Sequence, residues 1–141
     1  WRIKNTIDAD IQIDDVNKYS GAYSLMVGFS GKKNINFHHV SKYIPVKADT
    51  KYSLSYNYMS KNITTKSGVY WELRCNKSRL NTRTDAIIGS NSWKKDVLVF
   101  ETNNECDDGI NLILRRNPIK KLDSKISGTL WLDNVRLEAL N

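Results

Sequence analysis

The stretch Thr50-Lys51-Tyr52-Ser53-Leu54-Ser55-Tyr56-Asn57-Tyr58-Met59-Ser60 alternates without a break. Tyr52, Leu54, Tyr56 and Tyr58 fall on one side, and Ser53, Ser55, Asn57 and Met59 on the other. Successive side chains of a strand point to opposite faces, so a period of two reads as a half-buried β-strand. A helix would need apolar residues three and four apart, a spacing hard to find anywhere in this chain.

The same grammar recurs on both sides of this stretch. Ile110, Leu112 and Leu114 alternate with Asn111, Ile113 and Arg115, and Val69, Trp71, Leu73 and Cys75 alternate with Tyr70, Glu72 and Arg74. Further strands are expected at Ile7–Ile13, Tyr23–Phe29, Phe37–Val46, Lys94–Thr102 and Gly128–Leu137. Pro45 sits inside one of these, which calls for a sheet edge or a bulge there. Asn76–Ser92 is polar and reads mostly as loop, with a short strand near Ala86–Ile88. Turn sequences such as Tyr19-Ser20-Gly21, Lys66-Ser67-Gly68 and Asp107-Asp108-Gly109 separate the strands. Many short strands at this spacing indicate an all-β sandwich or barrel.

The 141 residues suit one domain, expected to span 1–141, with enough chain for a hydrophobic core. The opening Trp1-Arg2-Ile3 already reads as strand, so a fragment of a longer protein is expected. The longest apolar runs fall well short of a membrane helix, and no membrane insertion is expected of this segment. The net charge of +7 comes from 22 Lys and Arg against 15 Asp and Glu. Lys32-Lys33, Lys94-Lys95, Arg115-Arg116 and Lys120-Lys121 lie in separate stretches, which reads as a solvated surface and not as a nucleic-acid stripe. Cys75 and Cys106 leave two states open: a disulfide closing a loop of about 32 residues, or two reduced, buried thiols.

Three stretches carry a family likeness. Ser20-Gly21-Ala22-Tyr23-Ser24-Leu25-Met26-Val27, then Ile44-Pro45-Val46 with Thr50–Tyr56, then Gly128-Thr129-Leu130-Trp131-Leu132-Asp133-Asn134-Val135-Arg136-Leu137 resemble, in this order, jelly-roll carbohydrate-binding modules of the family 4/9 type in the galactose-binding-like superfamily. The resemblance implies a jelly-roll β-sandwich of two antiparallel sheets, with eight to ten strands. Trp1-Arg2-Ile3, Ile63–Glu72 and Leu114-Arg115-Arg116 also resemble uncharacterised domains of bacterial tetratricopeptide-repeat envelope proteins. That likeness implies an exported protein, periplasmic or extracellular, in the bacterial envelope. In related modules an aspartate of the last strand helps to hold a structural calcium. Asp133 matches it, so the resemblance implies that Asp133 could ligate calcium. The alternative is a carboxylate satisfying backbone amides at a bulge in that strand. No other cofactor is called for.

Strand parity selects candidate ligand-binding residues. With Leu130 and Leu132 inward, Trp131 faces out; with Trp71 and Leu73 inward, Tyr70, Glu72 and Arg74 face out; Asn57, Asn111 and Arg115 follow. Aromatic rings cover the C–H face of a sugar while amides, guanidinium groups and carboxylates bond its hydroxyls. The set therefore points to non-catalytic recognition of a polysaccharide or glycan. The alternative is a protein-interaction or structural spacer domain of an envelope assembly, with the same face against a protein partner. A glycan site is expected to expose Trp131 or Tyr70 in an open groove. Catalysis is not expected: a glycosidase needs two carboxylates across a cleft, and no pattern asks for them. His38 and His39 are adjacent on a strand and are expected to point to opposite faces, unable to share a metal or a proton without a bulge.

Overall fold

The computed structural model describes residues 1–75 and 81–140. In chain order its strands are β1 (Arg2–Ile3), β2 (Ala9–Asp14), β3 (Ser24–Ser30), β4 (Phe37–Ile44), β5 (Lys51–Ile63), β6 (Tyr70–Cys75), β7 (Asn81–Arg83), β8 (Gly89–Glu101), β9 (Ile110–Arg116) and β10 (Ser127–Ala139). They form two antiparallel five-stranded sheets, ordered β1-β4-β9-β6-β7 and β2-β3-β10-β5-β8. This is the all-β jelly-roll sandwich that the alternation and the resemblance predict.

The inner faces are the apolar halves of each alternation. In the first sheet Trp71, Leu73 and Cys75 of β6 stand opposite Leu114, Leu112 and Ile110 of β9, and all six are buried. In the second, Leu54 and Tyr56 of β5, Val27 and Phe29 of β3, and Leu130 and Leu132 of β10 close the core from the other side. Each fully buried side chain of this size contributes roughly 1.5–3 kcal/mol. The Tyr56 hydroxyl donates to Asp96 Oδ2 at 2.8 Å, so its polar end is satisfied, and burial pushes its pKa up.

Where element boundaries differ from the alternation, bulges are the reason. The β5–β8 ladder shifts register between Tyr58 and Ser60 and again between Ser60 and Ile63. Pairing therefore continues past the point where period two breaks down, carrying β5 to Ile63 and starting β8 at Gly89. The short strand expected at Ala86–Ile88 is instead β7, with Ile87 making an isolated bridge to Val69. The first part of that polar segment, 76–80, lies outside the described residues. Pro45 falls just after β4, so no ladder bond is lost to it.

A bulge also corrects the expectation for the histidines. β4 shifts register against β9 between Phe37 and Val40, and the His38 and His39 rings stack with centroids 4.4 Å apart. The two side chains are thus neighbours on one side, not on opposite faces.

Of the two states open to the cysteines, the structure takes the disulfide: Cys75 at the end of β6 joins Cys106 in the loop before β9, with Cα atoms 5.2 Å apart. The other cross-link is polar. Arg116, at the inward end of β9, is fully buried. Its Nε donates to the Ser67 carbonyl, Nη1 to Asn34 Oδ1 and the Ile35 carbonyl, and Nη2 to Thr65 Oγ1 and the Ser124 carbonyl, all within 3.1 Å. Burial disfavours the charge and pushes its pKa down. The ring of acceptors offsets that cost and ties three loops to one strand end.

Arg116→Met strands these acceptors inside the protein, each at about 1–3 kcal/mol. A loss of at least about 3 kcal/mol in urea-denaturation stability is expected. His39 has its pKa lowered from the ordinary 6.5, first by burial and next by His38. The unfolded chain then takes up this proton before the native one does, so stability is full above pH 6.5 and falls as the pH drops through the native value. His39→Gln is expected to flatten the dependence of the urea midpoint between about pH 7.5 and 5.

Candidate functional site

Register across the first sheet lines up its outward side chains in rows. Tyr43 of β4 pairs with Asn111 of β9, which pairs with Arg74 of β6. The next row is Ser41, Ile113, Glu72 and, on β7, Arg83. The third holds Arg115 and Tyr70. Residues opposite one another share a face. Strands lie about 4.8 Å apart and rise about 3.4 Å per residue, so the rows cover roughly 14 Å along the strands. That is room for two or three sugar rings.

Glu72 is the hub of this face. Its side chain is 7% exposed, and it meets Arg74 Nη2 at 2.9 Å through Oε1 and Arg115 Nε at 3.5 Å through Oε2. The longer contact is an ion pair without a formed hydrogen bond, and the buried Arg115 Nε has no other acceptor among the described residues. Arg115 Nη2 donates to Asn117 Oδ1 at 3.1 Å, and Asn117 Nδ2 donates to the Tyr70 hydroxyl at 2.7 Å. The Arg83 guanidinium lies 4.9 Å from the centre of the Tyr70 ring, a cation–π contact. Tyr70 is therefore buried, covered by an arginine.

Two residues of this face went unselected in the sequence. Tyr43 is 51% exposed and stands in the first row beside Asn111. Its hydroxyl donates to the Asp108 carbonyl, and its ring packs over Gly109, where a Cβ would fall 2.6 Å from the hydroxyl oxygen. Gly109 also has a φ of +98°, so only glycine suits the position. Arg83 lies in the polar stretch read as loop. Alternation with Val40, Lys42 and Ile44 turns Tyr43 away from the core, but its place beside Asn111 comes from the β4–β9 pairing.

Of the sequence candidates, Tyr70, Glu72, Arg74, Asn111 and Arg115 meet on this face, but Trp131 and Asn57 do not. They belong to β10 and β5, on the outer side of the second sheet. Parity assigns a side of one strand and says nothing about which sheet that strand joins, so one face became two. Trp131 is also not the open platform expected: it is 8% exposed, and its Nε1 donates to Asp14 Oδ2 at 2.8 Å. The Val16 amide and then this indole hold the Asp14 pKa down to about 2. Beside Trp131, Asn17, Met59, Lys61, Asn91 and Ser92 line a shallow depression of about 500 Å³. Asn57 is buried and accepts from Asn134 Nδ2 at 3.3 Å.

Asp133 sits at the β10 bulge. Oδ2 accepts the Tyr19 and Ser20 amides at 3.0 and 3.1 Å, and Oδ1 accepts the Asn134 amide at 2.8 Å. Among the described residues there is no group of three His, Cys, Asp or Glu side chains that could hold a metal ion.

A xylan-binding domain, CBM22-2 of Paenibacillus barcinonensis Xyn10C, superposes with a TM-score of 0.61 at 11% identity, over 96% of this chain and 94% of its own. A family 4 module (CBM4) does so at 0.59 and 10% identity, over 95% and 81%. The fold is shared with carbohydrate-binding modules. It also occurs within the enzymatically active domain of tailspike protein 4 of bacteriophage CBA120, at 0.62 and 9% identity, over 99% of this chain and 19% of that one. No protein-family model and no curated protein matches the sequence, so the likeness is one of shape. Shape leaves function to the site.

The Glu72 hub and the Arg74 rim should separate in a stability measurement. Glu72→Gln leaves Arg115 half-buried without its counter-charge, and a loss of roughly 3 kcal/mol is expected. Arg74, with 53% of its side chain exposed, should tolerate Arg74→Ala within about 1 kcal/mol. Urea denaturation of the two variants checks both.

Proposed function

We propose that the chain is a non-catalytic module that recognises a polysaccharide or glycan through the outer face of the β1-β4-β9-β6-β7 sheet. The observation that carries this reading is the row Tyr43–Asn111–Arg74 beside Glu72, Arg83 and Arg115. An exposed aromatic ring can lie against a sugar's C–H face, and the amide and guanidinium groups next to it can bond the hydroxyls of adjoining rings. Tyr70 and Asn117 hold Arg115 and Arg83 in place from below. The shared fold of carbohydrate-binding modules supports the same reading. Trp131 and Asn57, on the other sheet, are assigned a packing role.

Among the described paired residues of the three rows the one carboxylate is Glu72, already bonded to arginines. Hydrolysis by paired carboxylates would need a second one across the face. Recognition by stacking and hydrogen bonds needs no cofactor. A calcium at Asp133 would have to displace the Tyr19, Ser20 and Asn134 amides from its oxygens. The buried disulfide favours an oxidising compartment, consistent with an exported domain of a bacterial envelope protein. We take residues 1–141 as one domain on the strength of the continuous core between the two sheets.

A glycan array probed with the purified domain tests the proposal, with Tyr43→Ala and Arg115→Ala as site variants and Lys95→Ala, on the other sheet, as control. Binding to a defined glycan class is expected. Affinity should weaken about tenfold or more in each site variant, equivalent to about 1.4 kcal/mol, and stay unchanged in the control. A blank array with folded protein would transfer the face to a protein partner.

A further inference from the structure

The basic residues of this chain are not distributed evenly by type. It has fifteen lysines and seven arginines. Yet the described outward rows of the first sheet carry Arg74, Arg83 and Arg115 and, among the described residues, no lysine, and Arg2 of β1 joins them through its register with Ser41. Lys42, on the same strand as Tyr43, pairs with the core residue Leu112 and so has the opposite parity. The outer side of the second sheet differs: Asp10, Asp14 and Glu138 are interspersed with Lys61, Lys95 and Arg136. Of the two sheet faces, the first is thus the one whose paired rows carry a cationic excess, and that excess is built from guanidinium groups.

Among the described paired residues of these rows Glu72 is the carboxylate set between the arginines, and both of its oxygens are engaged; Asp85 follows Arg83 just past the end of β7. Two like charges about 7 Å apart repel by roughly 0.6 kcal/mol in water and about 2.4 kcal/mol at an effective dielectric constant of 20. A neutral ligand would leave that repulsion in place, whereas an anionic one removes it. Contacts among the described residues do not use up the arginines' donors. Arg83 is held through the Tyr70 ring face, a contact that uses its charge and not its N–H groups, and Arg74 spends one Nη on Glu72. The planar guanidinium fork matches carboxylate and sulfate oxygens two at a time, which a lysine ammonium cannot do.

We infer that the ligand of this face is an acidic polysaccharide, its carboxylate or sulfate groups held by Arg74, Arg83 and Arg115 while Tyr43 covers a sugar ring. The inference rests on the glycan reading above and adds the charge of the ligand.

Calorimetric titration of the domain at fixed salt tests it with five probes. These are polygalacturonate, the same polymer after reduction of its carboxyl groups to a neutral galactan, chondroitin sulfate, neutral xylan, and a single-stranded DNA oligonucleotide. Binding to polygalacturonate or chondroitin sulfate is expected: binding to polygalacturonate shows that carboxylates suffice, and binding to chondroitin sulfate alone points to a requirement for sulfate. At least tenfold weaker binding to the neutral polymers and to DNA should accompany it. The double variant Arg74→Gln/Arg83→Gln should weaken acidic-glycan binding tenfold or more. Lys61→Gln/Lys95→Gln removes the same charge from the other sheet and should leave that binding intact, with circular dichroism confirming the fold of both. Equal losses in the two double variants, or DNA bound as tightly as the acidic glycans, would overturn the inference in favour of unspecific attraction. Equal binding of the reduced and native polymers would overturn it while leaving the glycan reading standing. Silence to every polysaccharide would remove both.

Discussion

The ladder between β6 and β9 runs unbroken from Tyr70 opposite Arg115 to Cys75 opposite Ile110, and the rest of the molecule is organised about it. Its inner side supplies Trp71, Leu73, Leu112 and Leu114 to the core and ends in the disulfide to Cys106. Its outer side supplies Tyr70, Glu72, Arg74, Asn111 and Arg115 to the candidate face. A slip of one residue would turn every side chain to the wrong side, burying arginines and exposing the core. The apolar contacts that stabilise the fold therefore also position the polar face.

Two charged side chains away from the candidate face hold breaks in the strand pattern together. Arg116 follows Arg115 directly in sequence but points the other way, and it is fully buried among carbonyls and side-chain oxygens from three loops. One arginine serves the surface and its neighbour closes the base of the fold. Asp133 plays a corresponding part at the β10 bulge, where its two oxygens hold the Tyr19, Ser20 and Asn134 amides. Both cases follow from the cost of leaving backbone polar groups unsatisfied where regular pairing stops or is interrupted, which one charged side chain with several partners removes.

The strands were legible because an antiparallel sandwich with one wet and one dry face writes its structure into period two. Thr50–Ser60 and Ile110–Arg116 could be placed from alternation alone. The same reading failed where the pleat is interrupted. The bulge in β4 brought His38 and His39 together, and the shifts between β5 and β8 carried both strands beyond their alternating segments. β7 is three residues long, too short for any period to show.

The candidate site was half legible for a related reason. Alternation is a local property, so the sequence by itself determined that Tyr70, Glu72, Arg74, Asn111 and Arg115 point away from the core, and likewise Trp131 and Asn57. Which of these share a surface depends on pairing between strands far apart in the chain. Only the tertiary structure decided that β4, β6, β7 and β9 lie side by side while β5 and β10 lie in the opposite sheet. It likewise placed Tyr43 and Arg83 on the face and covered Trp131. Hydrogen bonds between backbones pair strands without regard to the side chains they carry, so the grouping is set by how the whole core packs and not by any one segment.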